Sequence, residues 1–510
     1  MNLRDTLNSS FSQTPLDGRK YPLPFGSFNL LAIAHQAMID AGFKPDVSQP
    51  VLQELQNLKL SVSDQEPEIR DLRALLWSSI DDATSRDLDQ VEYAESLPNG
   101  DVRLLVGIAD VDALVKKDSP IDMHAAENST SVYTGVRTFP MLPEQLSTNM
   151  TSLIGGADRN SIVTEMVVGA DGTVRQSNVY PALLHNYAKL SYEAVGGWLD
   201  HNAPIPPEVA KVPKMEAQLR LQFEAAACLR ELRTQHGALQ LETIQATPVV
   251  SNTGQVTELT ATEHNSARDI IESFMISANV AMAQFLEAQG VTAIRRVVRA
   301  PEQWPRIVEL AHEFGESLPA EPDSRALADF LARRKTADPV HFPDLSLAVV
   351  KLLGPGEYAI EKPGAPSEGH FGLAVHDYTH STAPNRRHAD LIIQRLVKAT
   401  LGKTPSPYSE EELREIAAHC TEREDAARKV ERKMRKVAAA VLLQNRIGED
   451  FDGIVTGTNS RGTFVRLIKP PADGLVVRGA AGLHVGEKVR VRLVSTEPER
   501  GFIDFARIGP

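Results

Sequence analysis

Apolar positions change their spacing several times along the chain, and each change marks an element. Leu30, Ala34, Ala37, Met38 and Ala41 recur at three and four, which predicts a helix capped by Ser27 and closed by Gly42. Val51, Leu55 and Leu58 form the inner face of a second helix beginning near Ser48. Two short helices joined by a tight turn are compatible with a helix-turn-helix or winged-helix fragment, and fit better a plain helical hairpin packed on a larger body. Leu104–Asp110 and Ser161–Val168 are short β-branched or apolar runs bounded by Gly, Asp and Asn, which predict strands. Helical spacing then dominates over Met215–Thr234, Ala267–Ala288 and Ala389–Leu401. A long helical stretch begins behind a cap at Ser409 and runs to about Arg446. Five short strands follow, with turns at Asn459–Gly462, Pro471–Gly474, Gly479–Gly482 and Glu497–Gly501, the texture of a small five-stranded OB barrel. The expected fold class is α+β: a helical N-terminal module over 1–68, a large α+β domain over 69–446 and the barrel over 447–510.

Composition narrows the chemistry. A chain of 510 residues, 42% of them hydrophobic, is long enough for about three units. Cys228 and Cys420 are the only cysteines, too few for a disulfide framework or a four-cysteine metal site, which points to a reducing cytoplasm and to oxygen or histidine ligands. The polar start carries no signal pattern, and the greasiest segment, Ile270–Leu286, is interrupted by Glu272 and Asn279, so no membrane association is expected. A formal charge of -13 opposes nonspecific nucleic-acid binding, but basic residues gather at Arg428–Lys436 and along Arg478–Arg492, which allows a positive track on an acidic body. For the first cluster, a solvated helix face balanced by Glu is an equal reading.

The string SSIDDATSRDLDQVEY puts Asp81, Asp82, Asp87, Asp89 and Glu92 within twelve residues. Like charges so close cost free energy unless neutralised, and magnesium, which takes hard oxygen ligands and keeps waters, is the natural neutraliser. By spacing alone an acidic loop facing solvent is the better reading; the Gly and terminal Glu of a calcium loop are missing. His370, His376, His380 and His388 lie near one another in sequence but lack zinc-site spacing, so structural roles are expected. Leu401–Ser406 lacks the upstream glycine of a phosphate-binding loop, and no Gly-x-Ser-x-Gly occurs.

DLRALLWSSIDDATSRDLD resembles the opening of the ribonuclease II (RNB) catalytic domain, where a Thr-Ile-Asp precedes an Asp-x-Asp-Asp. Further blocks follow in the family's order: VGIADVDALVKKDSPIDMHAAENSTSVY, FPMLPEQLSTNMTSL, AKLSYEAV, ARDIIESFMISANVAMA and GHFGLAVHDYTHSTAPNRRHADLIIQRLVKA. They run from about Asp71 to Leu401, and EREDAARKVERKM with IGEDFDGIVTGTNSRGTFVRL is similar to the helix and terminal RNA-binding OB fold that close such proteins. The resemblance implies a cytoplasmic, monomeric Mg2+-dependent 3′-to-5′ exoribonuclease acting on single-stranded RNA. DNA binding by the N-terminal module is not expected. The resemblance further implies that Asp81, Asp87, Asp89 and the residue at Gln90 hold the metal, and that Asp89 is indispensable. By the same resemblance Arg386 matches an arginine facing the scissile phosphate, where planar donors suit developing phosphoryl charge. The resemblance also matches Glu431 to a carboxylate near the same phosphate and Tyr192 to an aromatic that stacks on RNA near the 3′ end. Glu272 and Asn279, seven apart on one helical face, are candidates to reach the site or to serve helix packing.

The chain departs from the family at several positions. Asp-x-Asp-Asp reads Asp87-Leu88-Asp89-Gln90, so the fourth carboxylate is an amide, which can coordinate magnesium but should hold it less tightly. Asp82 substitutes only if the turn redirects it, and the alternative is a pocket adapted to a neutral residue with Asp82 or Glu92 supplying the charge. Thr-Ser-Pro-Ile-Arg-Arg-Tyr reads Thr382-Ala383-Pro384-Asn385-Arg386-Arg387-His388, and a histidine expected before Arg395 is Gln394. The helical N-terminal segment does not encode the family's tandem cold-shock barrels, and Ala300-Pro301 stands near the place of a base-clamping aromatic. Gln90 motivates an alternative, a weak or inactive RNA-binding protein on the same fold.

Overall fold

The structure, a computed structural model, describes residues 29–59, 69–243, 246–251, 255–261 and 264–509. Helices α1 (Leu30–Asp40) and α2 (Gln49–Asn57) open it. The expected cap Ser27 lies outside the described residues; the side chain of Asn29 caps α1, accepting from the Ala32 N–H at 3.0 Å. Ser48 caps α2 by position, but its side chain makes no capping bond, and Leu58 is only half-buried. The two helices use their apolar faces separately on the main body. Leu30, Ala34, Ala37 and Met38 pack with Val430, Met434 and Val437, and Val51 and Leu55 with Val115, Ile121 and Ala125.

The central sheet is built from β1 (Arg70–Asp71), β2 (Trp77–Asp81), β3 (Gln90–Ser96), β4 (Val102–Ala109), β7 (Asp158–Val168) and β8 (Val174–Ser191), with α3 (Pro120–Asn128) and the hairpin β5 (Val132–Tyr133), β6 (Thr138–Phe139) inserted. Strand order is β1-β8-β2-β3-β4-β7, and the eighteen-residue β8 closes the ring, pairing antiparallel with β7 in its first part and parallel with β2 in its last. Strand β4 is buried at every position from Leu104 on because both sheet faces are covered. Asp110, read as the end of this strand, instead caps the following turn, accepting from the Ala113 N–H at 3.1 Å.

One face of the sheet packs on α6 (Met215–Gln235) and α7 (Ser266–Ala288), reached through α4 (Tyr192–Leu199) and α5 (Pro207–Ala210). The other buries Trp77, Val91, Leu105 and Val163 against Leu391 of α11 (His388–Leu401), and the Trp77 indole N–H donates to the Leu72 carbonyl at 2.9 Å. A hairpin, β9 (Ala246–Val250) and β10 (Val256–Ala261), precedes α7; beyond it β11 (Ala293–Val297) pairs with β12 (Glu357–Glu361), and α8 (Trp304–Glu313), α9 (Ser324–Ala337) and α10 (Phe342–Leu353) form a satellite cluster.

The long helix α12 (Glu410–Leu443) starts at Ser409 with a reciprocal cap: the Glu412 N–H donates to Ser409 Oγ at 3.2 Å, and the Ser409 N–H to Glu412 Oε2 at 2.7 Å. Its C-terminal end supports a closed barrel of β13 (Asp450–Asn459), β14 (Gly462–Leu467), β15 (Asp473–Arg478), β17 (Phe502–Arg507) and β16 (Lys488–Glu497), in that spatial order. The α+β reading, with a small helical N-terminal part and a five-stranded terminal barrel, therefore stands. The turn read as Pro471–Gly474 is shorter, because Gly474 belongs to β15, where a Cβ would come within 2.4 Å of the Phe505 ring.

The β7–β8 turn touches α6 through Gly172, at φ +77°, where a Cβ would fall 2.1 Å from the Cys228 carbonyl oxygen. Gly172→Ala combines a left-handed backbone with a backbone clash, so it should destabilise the fold by about 2 kcal/mol or more in urea unfolding. Unchanged stability would mean that this contact is not maintained.

Candidate active site

Strands β2 and β8 end side by side, with Asp81 paired to Ser191, so the chain leaves β8 directly into Tyr192 beside Asp81. Asp81 Oδ1 accepts from the Asp82 N–H at 2.6 Å and from Ser85 Oγ at 2.9 Å, which folds the acidic loop back over the strand end. Asp89, before β3, is only 2% exposed. Its Oδ1 accepts the Asn385 N–H at 2.9 Å; its Oδ2 is buried without a hydrogen bond and has Arg386 Nε at 3.6 Å. Burial pushes the Asp89 carboxyl up to about 7, against the opposing pull of Arg386, with Asp87 adding to the rise. Burial likewise raises Asp81, on which Arg386 also acts. Three carboxylates and one guanidinium thus share one electrostatic neighbourhood.

Arg386 sits in a loop that the fold over-determines. Thr379 Oγ1 donates to the Ile294 carbonyl at 2.7 Å, and Asn279 Oδ1 accepts from the Ser381 N–H at 2.8 Å and its Oγ at 2.9 Å. Asp390, fully buried in the first turn of α11, accepts the Ala383 N–H at 2.8 Å and two bonds from Arg387 at 2.8 and 2.7 Å. The Arg386 carbonyl accepts from the Ser131 N–H at 3.0 Å, leaving its side chain 42% exposed.

Behind Arg386 lies a cleft of about 200 Å³ lined by Tyr133, Arg386, Arg387, Arg428 and Glu431 among others. Glu431, on α12, accepts the Tyr133 N–H at 2.9 Å, and burial raises its carboxyl. The Tyr133 hydroxyl lies 3.4 Å from Asp87 Oδ2, and 43% of the residue is exposed. Tyr192 is half-buried, with the Arg268 guanidinium 4.2 Å from its ring centroid. Arg268 also binds Asp82 at 2.9 Å, so Asp82 faces outward into an ion pair.

Gln90 opens β3, 8% exposed, and shares its strand face with Glu92, which is fully buried with neither carboxyl oxygen bonded. Burial first, then Asp81, raises Glu92 well above the usual carboxylate range. The helix-borne candidates divide: Asn279 braces the Arg386 loop from beneath, whereas Glu272 is exposed and clusters with His264 and Asp269. That trio is the only set of three metal-type side chains among the described residues whose ligand atoms all lie within 4.8 Å, but Asp269 is already ion-paired with Arg230 and with His264 at 3.2 Å. The histidines take separate partners: His380 with the Tyr358 hydroxyl at 2.8 Å, His388 with Asp122 at 3.5 Å, His370 edge-on to Tyr378. Gln394 clamps the end of β4, donating to the Ala109 carbonyl at 2.8 Å and accepting from the Asp112 N–H at 3.0 Å. Of the basic clusters, Arg428 is paired with Glu424 and Asp425 and Arg492 with Asp450, while Lys429, Arg432 and Lys433 are exposed.

The donor set fits a divalent cation. Asp89 Oδ2 is buried without a hydrogen bond, Asp87 acts on it, and oxygen donors are what such an ion takes, although the ligand atoms of Asp81, Asp87 and Asp89 do not all close to within 4.8 Å of one another. Sequence reasoning missed Tyr133, Asn385 and Asp390; all three lay in quoted blocks without a site role, and the contacts Asn385 N–H to Asp89 and Ala383 N–H to Asp390 involve backbone donors that side-chain spacing does not reveal.

Residues 69–403 match the RNB domain family, and residues 449–508 the RNase II-type exonuclease C-terminal S1 domain. Ribonuclease R of Escherichia coli (strain K12) is 31% identical over 497 residues, covering 90% of this chain and 60% of the relative. Ribonuclease R 1 of Lactococcus lactis subsp. lactis (strain IL1403) is 29% identical over 465 residues, covering 85% and 56%. The chain thus spans less than two thirds of the length of these relatives. The solved structure of Mycoplasma genitalium RNase R in complex with ribose methylated single-stranded RNA superposes with a TM-score of 0.84 at 24% identity, covering 94% of this chain and 78% of that one, a likeness of fold. With the RNB match spanning most of its length and the S1 match on its terminal barrel, the chain belongs to the RNB family of ribonuclease II-type proteins.

Proposed function

We propose that this protein is a magnesium-dependent 3′-to-5′ exoribonuclease that hydrolyses single-stranded RNA to nucleoside 5′-monophosphates, as a cytoplasmic monomer. The observation that carries the reading is the open, buried Oδ2 of Asp89 set among Asp81, Asp87 and Arg386. Relatives named Ribonuclease R, and the likeness of fold to an RNase R that holds single-stranded RNA, support the substrate class. No described helix is long and apolar enough to cross a membrane.

Asp81, Asp87 and Asp89 would hold the ion, with the Gln90 amide as a neutral fourth donor. Magnesium there would supply Lewis-acid activation of an attacking water and offset the charge of the phosphoryl oxygens. The chain's own groups do the rest. Asn385 fixes the Asp89 carboxylate through one oxygen and leaves the other free. Arg386, anchored through its backbone and exposed at its guanidinium, meets the charge that grows on the phosphoryl oxygens. The exposed part of Tyr133 and the Arg268-backed ring of Tyr192 offer flat surfaces for the terminal bases. Glu431 holds Tyr133 in place and lies in the cleft beside Arg386. The barrel, with exposed Lys488 and Arg490 on β16, suits the upstream RNA.

Labelled unstructured RNA incubated with the protein and magnesium should yield mononucleotides, and EDTA should stop release; a shifted but intact RNA would instead indicate a binding protein. Asp89→Asn should remove hydrolysis by at least ~10³-fold with RNA affinity nearly unchanged, because it takes charge from the metal site and leaves the RNA path intact. Arg386→Ala should lower kcat by ~10²-fold or more with little change in KM, and equal losses in binding and turnover would reduce it to an RNA anchor.

The raised Asp89 carboxyl also sets a stability test. Between its unfolded value of 3.8 and its folded value of about 7, only the unfolded chain gives up the proton, so stability falls as pH rises through that window. In EDTA, Asp89→Asn should therefore stabilise the protein by roughly 2–4 kcal/mol at pH 8 and by less at pH 5. A gain independent of pH would show that Asp89 is not a buried, proton-retaining group.

A further inference from the structure

We infer that Glu92 supplies the negative charge that the metal site lacks at Gln90, two residues along the same face of β3. The inference rests on the carboxylate site proposed above and concerns how this chain completes it. Three observations carry it.

Glu92 is 0% exposed, and neither of its carboxyl oxygens has a hydrogen-bond partner. No Lys, Arg or His pairs with it among the described residues, although nearly every other buried acid here has such a partner or a backbone donor, Asp390, Asp122 and Asp89 among them. A carboxyl buried this way is costly unless a cation or a set of donors answers it.

Its surroundings do not answer it. Ser78, directly across on β2, and Gln222 of α6 are also fully buried, and Ser78 Oγ and Gln222 Oε1 are likewise unbonded. Gln222 Nε2 is directed at the Glu92 backbone carbonyl, at 3.4 Å, rather than at the carboxyl. Asp81, at the end of the neighbouring strand, is the charged group that acts on Glu92.

The strand register supplies the third. Ser78 of β2 pairs with Glu92 of β3, which sets the acid beside the strand that ends at Asp81. Gln90 and Glu92 point to one face, roughly 6.6 Å apart along the strand, a gap that the longer arm of glutamate partly spans. The other acid available, Asp82, is exposed and committed to Arg268 at 2.9 Å, with Glu193 sharing the same guanidinium at 3.7 Å. An acid lost at one position of the strand face and an unpartnered acid gained at the next position of that face form a charge-conserving exchange.

The test is Mn2+ binding to the full-length protein, followed by electron paramagnetic resonance of the free ion, for wild type, Asp89→Asn, Glu92→Gln, Gln90→Asp and the Gln90→Asp/Glu92→Gln double variant. Glu92→Gln should weaken Mn2+ binding by ~10-fold or more, and the double variant should recover most of the loss. Gln90→Asp alone should change affinity by less than about 3-fold, since the charge is already present. Wild-type affinity in Glu92→Gln, or a tenfold gain in Gln90→Asp alone, overturns the inference while leaving the site reading intact. Should Glu92→Gln not fold, Gln90→Asp decides by itself. Wild-type binding that Asp89→Asn does not weaken removes the site reading and this inference together.

Discussion

One hydrogen bond, from the Asn385 N–H to Asp89 Oδ1, fixes the relation between the two halves of the site. Asp89 comes from the start of the sheet and Asn385 from a loop almost three hundred residues later, so a single backbone donor must be delivered with sub-ångström tolerance to a buried carboxylate. The fold spends three independent anchors on that delivery. Thr379 ties the loop to β11, Ser381 ties it to Asn279 on α7, and Asp390 ties it to α11. Each anchor is buried, so loosening any of them leaves unsatisfied polar groups as well as a displaced donor. Arg386 inherits its position from the same anchors, which is why an exposed guanidinium can stand at a defined place.

The elements that sequence exposed are those whose signals are local. The reciprocal cap at Ser409 and Glu412, the apolar run through α7 and the Gly- and Pro-marked turns of the barrel all act within a few residues of themselves. Their boundaries were accordingly close to those observed. The acidic string was visible as well, but its chemistry depended on resemblance, since spacing alone allowed a solvent loop. What was not legible involves partners distant in the chain. Asn279 looks like any polar residue on a packed helix until Ser381 arrives to meet it, and Tyr133 gains its place only from Glu431 and Asp87. The cap of α1 was misplaced for a smaller reason: Ser27 and Asn29 are both competent caps, and only the backbone decides between them.

Charge in this protein is managed locally rather than globally. The net charge of -13 is distributed through many short ion pairs, so the basic stretches of the sequence are only partly available: Arg428 and Arg492 are answered by their own neighbours, while Lys429, Arg432 and Lys433 remain exposed. The carboxylates of the candidate site are the exception to local pairing. Asp89 has a guanidinium on one oxygen's side at 3.6 Å, beyond ordinary hydrogen-bonding range, and Glu92 has none. Among the buried acids of the described residues, Glu92 alone has neither a cationic partner nor a backbone donor.

Helix α12 connects this arrangement to the two ends of the chain. Its 34 residues extend over roughly 50 Å. Its successive apolar positions meet first the sheet's partner helix α11, then α1 through Val430, Met434 and Val437, and finally the barrel through Ala439, Ala440 and Leu443. Glu431 lies within the α1 contact and reaches Tyr133 beside Asp87. A continuous helix is stiff on this scale, so the barrel, α1 and Tyr133 share one reference frame. The terminal parts therefore bear on the site through position: they set where α12 lies, α12 sets Glu431, and Glu431 holds the backbone from which Tyr133 faces the acids.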